Sequence, residues 1–173
     1  GIKMKVNAVL LKDTEADLIA LAELAKEMAV DVRFIELMPI GEGALMEGIT
    51  MEQALLRLQE RWPDLAAADV KRGNGPAHYY RAQGLKGNIG FIDAISHAFC
   101  GQCNRIRLTS TGQLKPCLCY GEGEDLRSLL RGGASDERIG EVMGNCIFKK
   151  PRSHQFHEEY QITEYKNMNQ IGG

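Results

Sequence analysis

The sequence has no cysteine before Cys100 and no charge imbalance beyond a formal net charge of −2. It also has no apolar run near the roughly 18 residues that a membrane helix requires. The missing early cysteines place every thiol ligand in the second half of the chain. The small net charge removes the overall field that would draw nucleic acid or an anionic membrane surface, so neither is expected as a partner. The opening GIKMKVNAVLL carries lysines but no small-residue cleavage site, and it is too short for a signal peptide. Without an export signal the chain is expected in the cytoplasm. Thiols stay reduced there, and a C-x2-C pair reads as a metal or redox site before it reads as a disulfide framework. The remaining composition, 44% apolar and 25% charged in 173 residues, suits a globular protein with one good core or two small ones.

Apolar periodicity supplies the elements. Residues 4–11 read as a buried strand, with Thr14 capping a helix whose apolar positions are Leu18, Leu21, Leu24, Ala25 and Met28. Residues 31–38 read as a second strand, stopped by Pro39 and Gly41. Thr50 caps a helix over 50–61. Near-continuous apolar strands alternating with helices imply an α/β architecture, a parallel sheet covered by helices. Two such units cannot make a self-sufficient sheet. The chain also runs into its first strand almost at once, so it reads as part of something longer. Residues 64–90, rich in Gly, Pro and Asn, read as turns and short strands and set a boundary after residue 63. Strands are expected at 88–95 and 104–109, with a turn at Ser110–Gln113. Helices are expected at 125–132 and 135–150, the latter capped by Ser135.

Four of the five cysteines fall in the stretch from Cys100 to Cys119. Cys100 and Cys103 form a C-x2-C turn eased by Gly101, and the hairpin returns Cys117 to the same neighbourhood. Strand alternation puts Cys103, Arg105 and Arg107 on one face and lets Ile106 and Leu108 face the core. The Cys117/Cys119 pair is C-x-C and makes a poor zinc knuckle. Three ligands on an iron–sulfur cluster would leave one iron open, and guanidinium forks beside an open site suit a phosphate-bearing substrate. Spacing alone leaves structural zinc and simply buried thiols as alternatives. Cys146 reads as a core cysteine, and His78 and His97 as structural histidines.

The segments KVNAVLL, VRFIELMP, GFIDAISHAFCGQCNRIRLTSTGQLKPCL, KKPRSHQF and MNQIGG resemble the C-terminal half of the GTP 3′,8-cyclase family. These are radical S-adenosylmethionine enzymes of molybdenum cofactor biosynthesis, also called molybdenum cofactor biosynthesis protein A. The resemblance implies the end of an incomplete TIM-like barrel, two βα units in residues 1–63, followed by a small α+β domain in residues 64–173. That domain would bind a [4Fe–4S] cluster and GTP. Carried over by motif position, Cys100, Cys103 and Cys117 hold the cluster. Lys5, Arg33, Arg105, Ile106 and Arg107 contact GTP, and Met38 lies next to S-adenosylmethionine. Gly172 and Gly173 form a flexible tail needed for turnover. The implied partners are GTP and the downstream cyclase that processes the product, with a homodimer through the truncated sheet edge as a further expectation.

Two departures qualify the resemblance. The family's C-x3-C-x2-C motif is absent, so S-adenosylmethionine and its own [4Fe–4S] cluster are expected only in the full-length enzyme, and this chain alone is expected to be inactive. Cys119 stands where the family usually has an apolar residue, and it would either compete with Cys117 for the third ligand position or close the open iron site. The family spacing favours Cys117. A zinc-stabilised binding module without chemistry is the rival reading.

Overall fold

A computed structural model describes residues 2–70 and 72–171. The chain forms two compact units, Gly1–Met38 with Met46–Phe99, and Pro39–Leu45 with Cys100–Gly173. The first holds β1 (Lys5–Leu10), α1 (Leu18–Glu27), β2 (Asp31–Glu36), α2 (Met51–Arg61), β3 (Ala66–Ala68), β4 (His78–Arg81) and β5 (Ile89–Ile92). Its sheet runs β1-β2-β5-β4-β3. The β1/β2 and β2/β5 pairs are parallel, whereas β4 and β3 join antiparallel. The result is a mixed α/β unit with no closed barrel. The pairing of β5 with β2 draws residues 64–99 into the first unit, although composition placed a boundary after residue 63.

The helices cover one face of this sheet. Leu18, Ala22 and Ala25 of α1 and Met51, Ala54 and Leu58 of α2 pack on Val32, Phe34, Ile89 and Phe91, at the i, i+3/i+4, i+7 spacing of a buried stripe. Thr50 caps α2 as expected: its hydroxyl accepts from the Gln53 amide while the Gln53 side chain accepts from the Thr50 amide. Thr14 does not cap α1. It sits inside a 3-10 segment, Lys12–Asp17, with φ −109° and ψ 16°, and α1 begins four residues later. The uncovered face alternates with the core face along each strand. It carries Lys5, Asn7 and Val9 from β1 and Arg33 and Ile35 from β2.

Glu36, buried at the end of β2, fastens three segments. Its carboxylate accepts from the amides of Met51 at the start of α2, Ile95 and Ser96, and from the Ser96 hydroxyl. Burial alone would push this carboxyl up, but the hydrogen bonds outweigh it and hold the pKa below the ordinary value.

The second unit is smaller. β6 (Arg107–Leu108), β7 (Gln113–Lys115) and β8 (Glu124–Asp125) form a three-stranded antiparallel sheet. α3 (Leu126–Arg131) and α4 (Asp136–Phe148) pack on it around Leu114, Leu126 and Cys146. Ser135 caps α4 through the Arg138 amide. Cys146 is a core residue, donating its thiol to the Leu114 carbonyl. The strand expected at 104–109 shrinks to Arg107–Leu108, because residues 104–106 find no pairing partner.

A carboxyl held below its ordinary value stabilises the fold above the unfolded-state pKa, about 4.3, and loses that contribution as pH falls through the folded value. Charge-assisted hydrogen bonds each contribute about 1.5–3 kcal/mol. Glu36→Gln is therefore expected to lose ~3 kcal/mol in urea unfolding at pH 7, and to show a smaller stability difference between pH 7 and pH 3 than the unsubstituted chain.

Candidate functional site: the cysteine hairpin and the polar sheet face

The C-x2-C pair is built by one 3-10 turn, Cys100–Gln102, closed by the Cys103 amide donating to the Cys100 carbonyl at 3.1 Å. Gly101 is not essential to it, since a Cβ there would meet open space. The chain then passes through Arg105 into β6 and reverses at Thr109–Gly112. The Thr109 amide donates to the Gln113 carbonyl, and its hydroxyl accepts from the Gln113 amide. Gly112 adopts φ +84°, and a Cβ on it would stand 2.5 Å from that of Arg127. β7 then delivers Pro116 and Cys117.

The hairpin brings the thiols into one neighbourhood. Burial pushes the Cys117 thiol up; the Cys119 amide and the Lys150 ammonium pull against it, and charge on Cys100 and Cys103 adds to the rise. The Cys100 and Cys119 sulfurs accept from the consecutive amides of His154 and Gln155, at 3.4 and 3.5 Å. As placed, no three His, Cys, Asp or Glu side chains among the described residues form a group that holds one metal ion. Cys100, Cys103 and Cys117 are half-buried, whereas Cys119 is 0% exposed. Arg107 reaches the same place. Burial and the charge of Arg105 push its pKa down, while the Cys103 and Cys117 sulfurs draw it back up. Ile106 and Leu108 do not enter the core. They are 42% and 60% exposed: Ile106 lies in the unpaired stretch before β6, and Leu108 ends a strand of two residues.

Lys150, the last residue of the helix expected over 135–150, gave no sequence signal of its own; it touches Cys103 and both arms of the hairpin. Lys115 and Glu164 also gave no local signal. Lys115 is 1% exposed and forms an ion pair with the buried Glu164. The Glu164 amide donates to the Cys119 carbonyl, the Gly121 amide donates to the Thr163 hydroxyl, and Asn167 accepts from the Glu42 amide. The closing segment is thus anchored up to the buried Ile171. Gly172 and Gly173 lie outside the described residues.

Lys5, Arg33 and Met38 belong to the first unit. Lys5 donates to the Arg72 carbonyl at 2.6 Å, and Arg72 pairs with the buried Asp31 at 3.3 Å. Arg33 donates to the Asn7 side chain at 2.8 Å, in the row Asn7–Arg33–Gly90 across the sheet. It lies over Gly90, where a Cβ would stand 3.1 Å from the arginine stem and 3.0 Å from Tyr79. Met38 is half-buried just past β2. His78 and His97 stand 3.8 and 3.1 Å from the buried Asp93.

Residues 30–156 match the family model described as Molybdenum Cofactor Synthesis C. The chain belongs to that family. The molybdenum cofactor synthesis C match covers the β2 row, the cysteine hairpin and Lys150. Over its full length the chain is 42% identical to a GTP 3′,8-cyclase of Clostridium perfringens. Over 98% of its length it is 41% identical to one from Heliobacterium modesticaldum and 43% to one from Desulforamulus reducens. It spans 53–54% of the length of these relatives.

Removing one member of a buried ion pair strands the other charge, at a cost of about 3–5 kcal/mol. Lys115→Met is expected to lower thermal stability by that order, while Lys115→Met with Glu164→Leu recovers most of the loss; calorimetry of both variants checks this.

Proposed function

We propose that this chain is the substrate-binding half of a GTP 3′,8-cyclase, the activity named for its relatives. The observation that carries the reading is the hairpin that holds Cys103 and Cys117 beside Arg107, with Cys100 close to Cys117, within a family-matched segment. In this reading those three cysteines hold a [4Fe–4S] cluster. The thiols fit such a group: they are half-buried, mutually close and supplied with N–H donors from His154 and Lys150. Such a cluster would be held by cysteine thiolates, the donor type these three residues supply. When bound, the cluster would supply one open iron to the substrate's purine.

The chain's own residues do the rest. Arg105 and Arg107 present guanidinium forks to the triphosphate, with Ile106, exposed between them, offering apolar contact. Lys5 and Arg33 are also read as GTP contacts, with the Arg72 carbonyl and Asn7 orienting them. Met38 borders S-adenosylmethionine, and Gly172 and Gly173 take part in turnover. Cys119 is read as a packing thiol, on the strength of its burial. The first unit is read as the closing part of an incomplete barrel. β1 is the edge strand, and the rest of the longer protein or a second copy would pair there. The product passes to a downstream cyclase. With no cysteine before Cys100, these residues alone are inactive toward S-adenosylmethionine.

Anaerobic reconstitution with iron and sulfide tests the reading. The chain is expected to turn brown and to lose that colour in Cys117→Ala but not in Cys119→Ala. A colourless chain carrying stoichiometric zinc would overturn the reading in favour of a binding module. With the cluster in place, Arg105→Ala and Arg107→Ala are each expected to weaken GTP binding about 10–100-fold in a titration, the equivalent of about 1.5–3 kcal/mol.

A further inference from the structure

Lys150 lies just after α4, and neither cysteine spacing nor charge patterning singles it out. Its ammonium donates to the Arg105 carbonyl at 2.5 Å, the Pro116 carbonyl at 2.8 Å and the Cys103 sulfur at 3.5 Å. An ammonium has three protons and no acceptor, so these contacts use its full donor capacity inside the chain. The acceptors are not neighbours along the sequence. Arg105 lies two residues beyond Cys103 on the outgoing arm of the hairpin, and Pro116 immediately precedes Cys117 on the returning arm. The adjacent Lys149 is different: its side chain is 74% exposed, with a marginal 4.0 Å contact to Glu124.

We propose that Lys150 is the positioning residue of the cysteine site. It straps the arm carrying Cys103 to the arm carrying Cys117, and it donates to one of the sulfurs that would hold the cluster. The cross-link fixes the ligand spacing that the β6–β7 pairing begins. Only two residue pairs connect those strands, and the arms beyond them are irregular. A donor held on a thiolate also withdraws electron density from the metal it ligates, so it raises the reduction potential. Arginine cannot reproduce the arrangement: its planar fork does not converge on two carbonyls and a sulfur from one point. The assignment of a cluster rests on the function proposed above; the strap is a property of the chain itself.

The test uses Lys150→Met, which keeps the apolar stem and removes the donors, with Lys150→Arg and Lys149→Met beside it. After reconstitution, Lys150→Met is expected to surrender iron to a chelator about 10–100-fold more readily and to show a lower midpoint potential. Lys150→Arg is expected to fall between Lys150→Met and the unsubstituted chain, and Lys149→Met to match the unsubstituted chain. Iron retention and potential unchanged in Lys150→Met would overturn the proposal. A purely structural role would lower thermal stability without moving the potential, and that result would overturn it too. Hydrogen exchange of the metal-free chain separates this from the functional reading. If the unsubstituted chain takes up no iron, the cluster reading fails by itself. Faster exchange across residues 103–108 and 114–117 in Lys150→Met would still uphold the strap, and unchanged exchange would refute it.

Discussion

The reversal at Thr109–Gly112 is the constraint on which the cysteine site depends. Cys103 and Cys117 are separated by thirteen residues, and only a tight return brings them to one place. Thr109 closes the turn twice, through its amide and its hydroxyl. Gly112 takes the left-handed conformation that a side chain would resist. Its carbonyl accepts from the amides of Leu126 and Arg127 at the start of α3. The turn is therefore held from below by the helix, and its bend is not left to a two-rung ladder alone.

Buried polar groups do corresponding work elsewhere. Glu36 gathers the start of α2 and the loop after β5 onto the end of β2. Asp31 accepts from the backbone and side chain of Asn88 while holding Arg72, whose carbonyl positions Lys5. Lys115 and Glu164 tie the closing segment to β7. Each charge is paired or hydrogen-bonded, which is the condition for keeping it out of water. Each also sits next to residues to which a nucleotide or metal role is assigned. The apolar core on the other face of the first sheet supplies stability without direction, and the polar groups add stability that depends on exact placement.

Much of this was legible in the sequence wherever the signal was local. The α2 cap was readable from Thr50 and the α4 cap from Ser135, because a cap is a local signal; the Gln53 half of the α2 capping box emerged from the structure. β1, β2 and β5 announced themselves by apolar runs. Thr14 misled because the same local code is compatible with a 3-10 turn ahead of the helix. The alternation assumed for 104–109 failed because side-chain alternation needs a ladder, and residues 104–106 have none. Ile106, in that unpaired stretch, consequently stays at the surface; Leu108 is exposed although it pairs with Leu114 of β7. Lys150 and Glu164 were unreadable for another reason. The Lys150 bonds to Arg105 and Pro116 span 45 and 34 residues, and Glu164 meets Lys115 from the far end of the chain. No short motif encodes such meetings. The preference for Cys117 over Cys119 rests on family spacing; what the structure adds is that Cys119 is buried and Cys117 half-buried.

The central claim is that three cysteines hold a cluster whose open iron is kept for a nucleotide. The most direct measurement is paramagnetic resonance of the reduced, reconstituted chain, recorded with and without GTP labelled with nitrogen-15 in its purine. The account predicts a hyperfine coupling from the labelled ring that appears only with the nucleotide. A cluster whose spectrum shows no such coupling while GTP is demonstrably bound would contradict it.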